Sequence, residues 1–223
     1  MNVRLVSYVM MVLAAVQCTL QGQNTMPLKT AIPRALAANT PEPIHLSNLE
    51  GTDPSRKLEL MVPVGTTNVA LKKPVTSSDS DPLLGTLDQI TDGVKDGDEG
   101  NYVELAPGKQ WVQIDLGSEN NIYAVWVWHF YLQARAYLGV VVQVSDDVSF
   151  KAGVTTVFNN DIENTDGLGS GKDPAYIETN RGRLMPVRGA VTGRYVRLYS
   201  NGNTSDTGNH YIEVEVYGKG AGK

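Results

Sequence analysis

The sequence predicts an all-β protein whose antiparallel strands form a β-sandwich. Several segments alternate apolar and polar residues with the period of two that is typical of a strand. Turn-forming glycine is abundant, with 22 glycines in 223 residues, and no segment after residue 20 has the apolar periodicity of a helix of three turns. The apolar share of 41% and the charged share of 19% are typical of a globular protein and exclude a wholly disordered chain.

Residues 1–22 have the pattern of a secretory signal peptide. One early positive charge, Arg4, precedes an apolar run over residues 5–16 that is short for a bilayer span. We therefore expect export to the periplasm, the cell surface or the medium, without a membrane span. Cys18 is the only cysteine, so an intramolecular disulfide is excluded. A lipid anchor at Cys18 is one outcome, although Gln17 departs from the usual small residue; cleavage without lipidation, or a short cytosolic helix, are the alternatives.

Residues 23–67 are predicted to form an extended linker or a strap laid over the surface of the domain. This segment is rich in Pro, Asn and Thr, and prolines at positions 27, 33, 41, 43 and 54 exclude a long helix. Residues 58–62 could form one short strand. The segment carries no cluster of functional side chains.

Residues 68–218 are predicted to form the sandwich, and residues 219–223 a short tail. A length of about 150 residues suits this architecture. Strand patterns cover residues 111–116, 122–128, 140–145, 194–199 and 211–217. In the first of these, Trp111, Gln113 and Asp115 share one face, and Val112, Ile114 and Leu116 share the other. Residues 122–128 are nearly all apolar, which indicates a strand buried on both faces, so we expect Trp126 and Trp128 to be core residues.

Five short motifs follow one another along the predicted sandwich. They are NVALKKPVTSS at residues 68–78, ITDG at 90–93, WVQIDLG at 111–117, GRYVRL at 193–198 and EVEVYG at 213–218. In this order they resemble the discoidin family, also called the coagulation factor 5/8 type C family, which overlaps carbohydrate-binding module family 32. The resemblance implies an antiparallel jelly roll of about eight strands with a galactose-binding domain-like fold. It also implies a binding module rather than an enzyme.

A glycine-rich turn at residues 92–98 carries three carboxylates, those of Asp92, Asp96 and Asp98. Flexible, oxygen-rich loops of this kind favour a hard cation. The resemblance implies a structural calcium ion that fixes this loop against the last strand. Its implied ligands are Asp92, the backbone carbonyls around Gln89, Val94 and Gly97, and Glu213. Gly97 stands where many relatives have a threonine ligand, and Asp96 or Asp98 would replace it; the alternative is a simple turn with solvated carboxylates.

Two loops carry the side chains that sugar recognition requires. The resemblance places a ligand at one end of the sandwich, where hydroxyl groups need paired donors and acceptors and a pyranose ring needs an aromatic face. The candidates are His129, Tyr131, Arg135 and Tyr137 in one loop, and Asn203 and His210 in the other. Arg135 matches in position an arginine that many sugar-binding relatives use. The alternatives are that His129 ends a buried strand and that Arg135 pairs with Asp146 or Asp147.

A long glycine-rich insertion at residues 159–183 is predicted to be a surface loop. A second cation site formed by Asp161, Glu163 and Asp166 is the alternative. The stretch GLGSGK at residues 167–172 differs from a phosphate-binding loop, because Asp166 replaces its first glycine and Asp173 replaces its Ser or Thr.

These residues indicate a binding protein rather than an enzyme. The three histidines, at positions 45, 129 and 210, lie in separate segments without a nucleophile motif. The net charge of -5 argues against nucleic-acid binding. We expect an exported, monomeric, non-catalytic module that binds a cell-surface or environmental glycan. The alternative is a structural or adhesion domain of the same fold whose partner is a cell-surface protein.

Overall fold

A computed structural model describes residues 24–35, 43–51, 59–97 and 100–222. The signal peptide, Cys18 and Asp98 lie outside the described residues, so the predictions made for them stay predictions. Within the described ranges, no helix is long and apolar enough to cross a membrane.

Strands account for nearly all of the regular secondary structure. They are β1 (Thr25–Pro27), β2 (Met61–Pro63), β3 (Thr67–Asn68), β4 (Val75–Ser77), β5 (Val103–Leu105), β6 (Gln110–His129), β7 (Val141–Ser145), β8 (Thr155–Asn159), β9 (Arg183–Ser200) and β10 (Asn209–Gly220). A 3-10 turn at Leu87–Thr91 precedes the predicted calcium loop. The all-β class is therefore confirmed, and the five predicted strand segments correspond to β6, β7, β9 and β10, with β7 starting one residue later than predicted.

The long strands β6 and β9 build the sandwich, because each contributes to both sheets. Their pairing is interrupted between Asp115 and Asn120, which separates β6 into two halves. The first half pairs with β4 and the second with β10. One sheet continues from β10 to β3 and β5, and the other continues from β9 to β7 and β8. These pairings are all antiparallel, as predicted.

The core lies between the two sheets and takes alternate residues from each strand. Its centre includes Val112, Ile114, Val125, Val127, Val142, Val144, Val196, Leu198, Val214 and Val216. Burying such side chains is the main driving force for folding, at about 1.5–3 kcal/mol each. The two-faced pattern of residues 111–116 is confirmed, since Val112, Ile114 and Leu116 enter the core whereas Trp111 and Asp115 stay half-buried.

A second apolar cluster lies on the opposite side of the sheet that contains the second half of β6. Here Trp126 and Trp128 stack with ring centroids 5.4 Å apart. The indole N–H of Trp126 donates to the carbonyl of Arg181, and that of Trp128 to the carbonyl of Asn180. The prediction that both tryptophans are core residues is confirmed, with 3% and 0% exposure. We call this side, formed by Trp126, Trp128, Glu213, Glu215 and Tyr217, the outer face.

The outer face is covered by residues 24–35, which are the first part of the segment predicted as a linker or strap. We use the name strap for residues 24–35 alone. Strand β1 of the strap pairs with β2, and Leu28 enters the cluster around the two tryptophans. At the start of the strap, the carbonyl of Asn24 accepts a hydrogen bond from the N–H of Val64 at 2.9 Å. The carbonyl of Val64 accepts one from the Lys219 ammonium at 3.4 Å, next to the end of β10.

Candidate functional site

The structure brings the two predicted ligand loops together at one end of the sandwich. An isolated antiparallel bridge joins Tyr137 to Asn203, and the N–H of Thr204 donates to the carbonyl of Ala136 at 3.0 Å. His210 lies at the start of β10, opposite Glu104 of β5. We call residues 102–104, 130–138 and 201–210 the loop end.

Arg135 is held inside the loop end by three neighbours. Its guanidinium lies 2.7 Å from Asp206 and 2.9 Å from the side-chain oxygen of Gln133, and it stacks over Phe130 at 4.7 Å. The alternative pairing with Asp146 or Asp147 is therefore wrong. The Nε of Arg135 is buried and has no hydrogen-bond partner within the described structure. A buried donor of this kind normally bonds to water or to a ligand.

Three buried rings, those of His129, Tyr137 and His210, contact one another in sequence. His129 lies 2.7 Å from Glu178 and stacks on Tyr137, with centroids 4.4 Å apart. The hydroxyl of Tyr137 lies 2.9 Å from Nδ1 of His210. The backbone N–H of Glu178 also donates to the carbonyl of Arg135 at 2.9 Å. Glu178 thus fixes both the ring and the loop, and the insertion predicted as a surface loop supplies this buried residue.

The six predicted ligand residues are all buried, and five of them, all except Tyr131, form the floor of the loop end. Their exposed fractions are 0% for His129, 1% for Tyr137, 4% for Arg135, 5% for His210, 7% for Asn203 and 8% for Tyr131. Asn203 uses its amide to donate to Asp206 and to the carbonyl of Gly208. Tyr131 points away, because its hydroxyl donates to the carbonyls of Lys95 and Asp96. Ligand contact by these six residues stays a prediction.

The accessible side chains around this floor form what we call the rim: Tyr102, Glu104, Phe130 and Asp206. Tyr102 and Phe130 are half-buried and meet edge to face, with centroids 4.9 Å apart. The side chains of Glu104 and Asp206 are 31% and 45% exposed. None of these four residues was predicted from the sequence. Phe130 and Asp206 lie inside the two predicted ligand loops, whereas Tyr102 and Glu104 come from β5 and the residue just before it, which carry no ligand-like pattern.

The charge of the loop end follows from burial and pairing. Burial lowers the pKa of His210, so its imidazole is neutral at pH 7, and burial raises the pKa of Tyr137 well above its usual value. Arg135 is neutralised by Asp206. The charged atoms that solvent can reach are therefore mainly the carboxylates of Glu104 and Asp206.

The predicted calcium loop lies against the outer face. Glu213 is 0% exposed, and its Oε2 accepts a hydrogen bond from the N–H of Gly93 at 3.1 Å. Its Oε1 has no partner within the described structure. Burial, followed by the nearby carboxylates of Glu215 and Asp92, raises the pKa of Glu213 to about 9. The structure thus brings Asp92 close to Glu213, as the resemblance implies.

The other predicted carboxylate ligands of this loop do not converge on one point. Asp92 accepts a hydrogen bond from the N–H of Val94, and Asp96 accepts one from the side-chain amide of Asn101. No group of three or more His, Cys, Asp or Glu side chains is placed to hold a metal within the described ranges. A site here would therefore need backbone carbonyls as well, which are ordinary calcium ligands.

Two of the three carboxylates considered as a second cation site in the long insertion stabilise that loop. Asp161 accepts hydrogen bonds from Thr165 and from the N–H of Asp166. Asp166 accepts one from the side-chain amide of Asn201, and burial raises its pKa. Glu163 is exposed. These three residues do not form a metal-binding group in the part of the chain that the structure describes.

Solved structures similar to this chain include sugar-binding proteins. A variant of chitosan-binding module 1 from a chitosanase/glucanase of Paenibacillus sp. IK-5 is 24% identical, with a TM-score of 0.49 over 69% of this chain and 99% of that chain. The CBM32 of AlyQ, in complex with 4,5-unsaturated mannuronic acid, is 22% identical, with a TM-score of 0.46 over 64% of this chain and 92% of that chain. A fucolectin from striped bass serum is 17% identical, with a TM-score of 0.48 over 69% of this chain and 49% of that chain.

No family model matches the chain, and no curated protein matches its sequence. The all-β fold described above rests on the strand pairing, and the similarities to solved structures add no information about a ligand.

Proposed function

We propose that this protein is an exported, non-catalytic module that binds carbohydrate at the loop end. The observation that carries the proposal is the rim, where the half-buried rings of Tyr102 and Phe130 stand next to His210 and the Arg135–Asp206 pair. An aromatic face provides stacking for the apolar side of a pyranose, and the neighbouring paired polar groups supply donors and acceptors for its hydroxyls.

The charges of the rim favour neutral or amine-bearing glycans over acidic ones. Glu104 and Asp206 present carboxylates to solvent, whereas Arg135 is buried and already paired. A uronate or sulfate group would approach these carboxylates without a free cation to bind it, and like charges held close together repel.

The test is a glycan array followed by calorimetric titration of the best neutral ligand. We expect Phe130→Ala and Tyr102→Ala each to weaken binding about fivefold, since each removes a stacking contact worth about 1 kcal/mol. Tyr195→Ala removes another half-buried aromatic ring, on a different strand, and is the matched control. Unchanged affinity in both rim variants, or the absence of any glycan ligand, would contradict the proposal.

Calcium stabilisation of the same module is part of the proposal. Asp92 and Glu213 would supply carboxylates, together with the carbonyls around Gln89, Val94 and Gly97; Asp98 is outside the described residues. The fit rests on Glu213, because a buried carboxylate with an unpartnered oxygen and two acidic neighbours is stabilised by a nearby cation. A bound ion would supply that positive charge and hold the loop against β10.

A second function, recognition of a protein, is favoured by one observation. Leu83 and Leu84 are 64% and 39% exposed, and Leu84 forms an isolated bridge with Glu104 of the rim. Two exposed leucines beside the rim fit an apolar protein contact. Failure of the glycan array, combined with a partner whose capture is lost in Leu83→Ser, would establish this function in place of sugar binding.

A further inference from the structure

The strap lies on the outer face through side-chain and backbone contacts of the kind seen in bound peptides. Leu28 is 7% exposed and packs within the cluster of Trp126, Trp128, Leu184 and Tyr217. Its N–H donates to the carbonyl of Leu60 at 2.7 Å, which extends the pairing of β1 with β2. An extended backbone with one apolar side chain in a pocket is a common mode of peptide recognition.

Beyond Leu28, the strap completes the hydrogen bonding of one buried cation. Lys95 is 8% exposed, lies 2.6 Å from Glu215, and is placed 4.7 Å over the ring of Trp128. Its ammonium also donates to the hydroxyl of Thr30 and to the carbonyl of Ala31. An ammonium group has three N–H donors, and two of these acceptors belong to the strap.

A buried ammonium that loses acceptors is costly, so this arrangement selects what can lie on the outer face. Thr30 also donates to Glu215 at 3.1 Å, and the side-chain amide of Asn180 donates to the carbonyl of Pro33 at 2.7 Å. A peptide on the outer face must therefore present an apolar side chain in the position of Leu28, a hydroxyl two residues later and a free backbone carbonyl three residues later.

We propose that the outer face is a peptide-binding groove, that its ligand is the extended segment of residues 24–35, and that Lys95 determines its specificity. The strap is the occupant in this chain, so the groove is filled by a covalently attached ligand. The groove does not require a bound sugar, but Lys95 lies in the loop of residues 92–98 that is proposed to bind calcium.

The first experiment uses the full chain with the strap released by Leu28→Asp, and a synthetic peptide of residues 24–35. We expect the peptide to bind the released chain and to protect the N–H of Val64, which donates to the carbonyl of Asn24, from hydrogen exchange. It should bind the wild-type chain at least about tenfold more weakly, because the wild-type groove is occupied. A peptide carrying the Leu28→Asp change is the control and should not bind. Circular dichroism establishes that the released chain is folded, and Leu28→Ala is the milder substitute if it is not.

The second experiment tests Lys95 in the intact chain. Lys95→Met keeps the length of the side chain but removes its charge, so we expect the strap to lose exchange protection while β7 and β8 keep theirs. Lys95→Arg should restore protection in part. A released, folded chain that does not bind the peptide would overturn the groove, and a strap that stays protected in Lys95→Met would overturn the role of Lys95.

Discussion

The outer face and the loop end both bury charged side chains, but they satisfy them differently. On the outer face, the Lys95 ammonium has Glu215, Thr30 and Ala31 as partners. At the loop end, buried atoms of Arg135, His129 and Glu178 have no partner within the described structure. Around Lys95 the outer face is thus closed by the chain itself, although Oε1 of Glu213 on the same face has no partner among the described residues. The loop end keeps several polar atoms available for water or a ligand.

The two regions also hold their loops in place by different interactions. The strap is held by apolar burial together with one buried ion pair, and the loop around Arg135 is held by Glu178 and its ring partners. Because buried polar groups are costly when one partner is removed, substitutions at the loop end should act through lost hydrogen bonds. Substitutions on the outer face should act mainly through lost packing.

The largest effect is expected for Trp128→Ala on the outer face. The side chain is 0% exposed and stacks on Trp126, so its removal leaves a cavity that should cost about 3–5 kcal/mol of unfolding free energy. Phe130→Ala at the half-buried rim should cost no more than about 1–2 kcal/mol. Urea unfolding measures both losses of unfolding free energy. Equal losses for the two variants would contradict the expectation that the outer face is more tightly packed than the rim.

A smaller loss of unfolding free energy, about 2–3 kcal/mol, is expected for Leu28→Ala in the strap. The side chain is 7% exposed, whereas Ile32 in the same segment is 42% exposed, so Ile32→Ala is the matched control with little expected change. If Leu28→Ala leaves the urea midpoint unchanged and affects only exchange of the strap, the strap unfolds separately from the sandwich.

The third prediction concerns pH and calcium at Glu213. Its pKa in the folded protein is raised to about 9, so the unfolded state binds fewer protons than the folded state between the two pKa values. Calcium-free protein should therefore lose stability from about pH 5 to pH 8, on the order of 1–2 kcal/mol after allowance for relaxation. Calcium should reduce this loss, because it stabilises the ionised form.

Thermal unfolding across this pH range, with and without calcium, measures the effect, and Glu213→Gln is expected to abolish both the pH dependence and the response to calcium. Calcium that shifts the unfolding temperature of Glu213→Gln as much as that of wild type would show that the ion binds elsewhere.

The smallest effect is expected for Asp115→Asn, on the exposed side of the other sheet. Asp115 forms two hydrogen bonds of 2.7 Å with Arg194, and this side-chain pairing lowers its pKa. The pair is only partly buried, with the side chains of Arg194 and Asp115 41% and 29% exposed. The loss of unfolding free energy should therefore be no more than about 1 kcal/mol and should shrink further in high salt. A loss as large as that of Leu28→Ala would contradict the expectation that a partly exposed ion pair contributes less to stability than a buried apolar side chain.

The strands could be predicted from the sequence because their periodicity is local. Residues 111–116 show which side chains enter the core, and the apolar run at 122–128 correctly indicates burial on both faces. The same approach could not show why residues 211–217 are buried. Their alternation, with Glu213 and Glu215 on one face, is typical of a half-exposed strand, yet a loop and the strap, distant in sequence, cover that face.

The candidate site was predictable in part for a related reason. The loops containing Arg135 and His210 were found because their residue types suit sugar binding, and the fold brings them together. Their burial, and the exposure of Tyr102 and Glu104, depend on how β5 pairs with β10, which no local pattern encodes. Glu178 was missed because a single acid in a glycine-rich insertion carries no signal of its burial against His129.

The contacts of Val64 with Asn24 and Lys219 show that both ends of the domain lie far from the loop end. They place the start of the strap and the end of β10 at one corner. Strand β10 begins at the loop end with Asn209 and His210, and its 12 residues span roughly 35 Å before Gly220. Polypeptide attached before the strap or after β10 would therefore leave the domain at the end opposite Tyr102 and Phe130. The rim would then face away from that polypeptide.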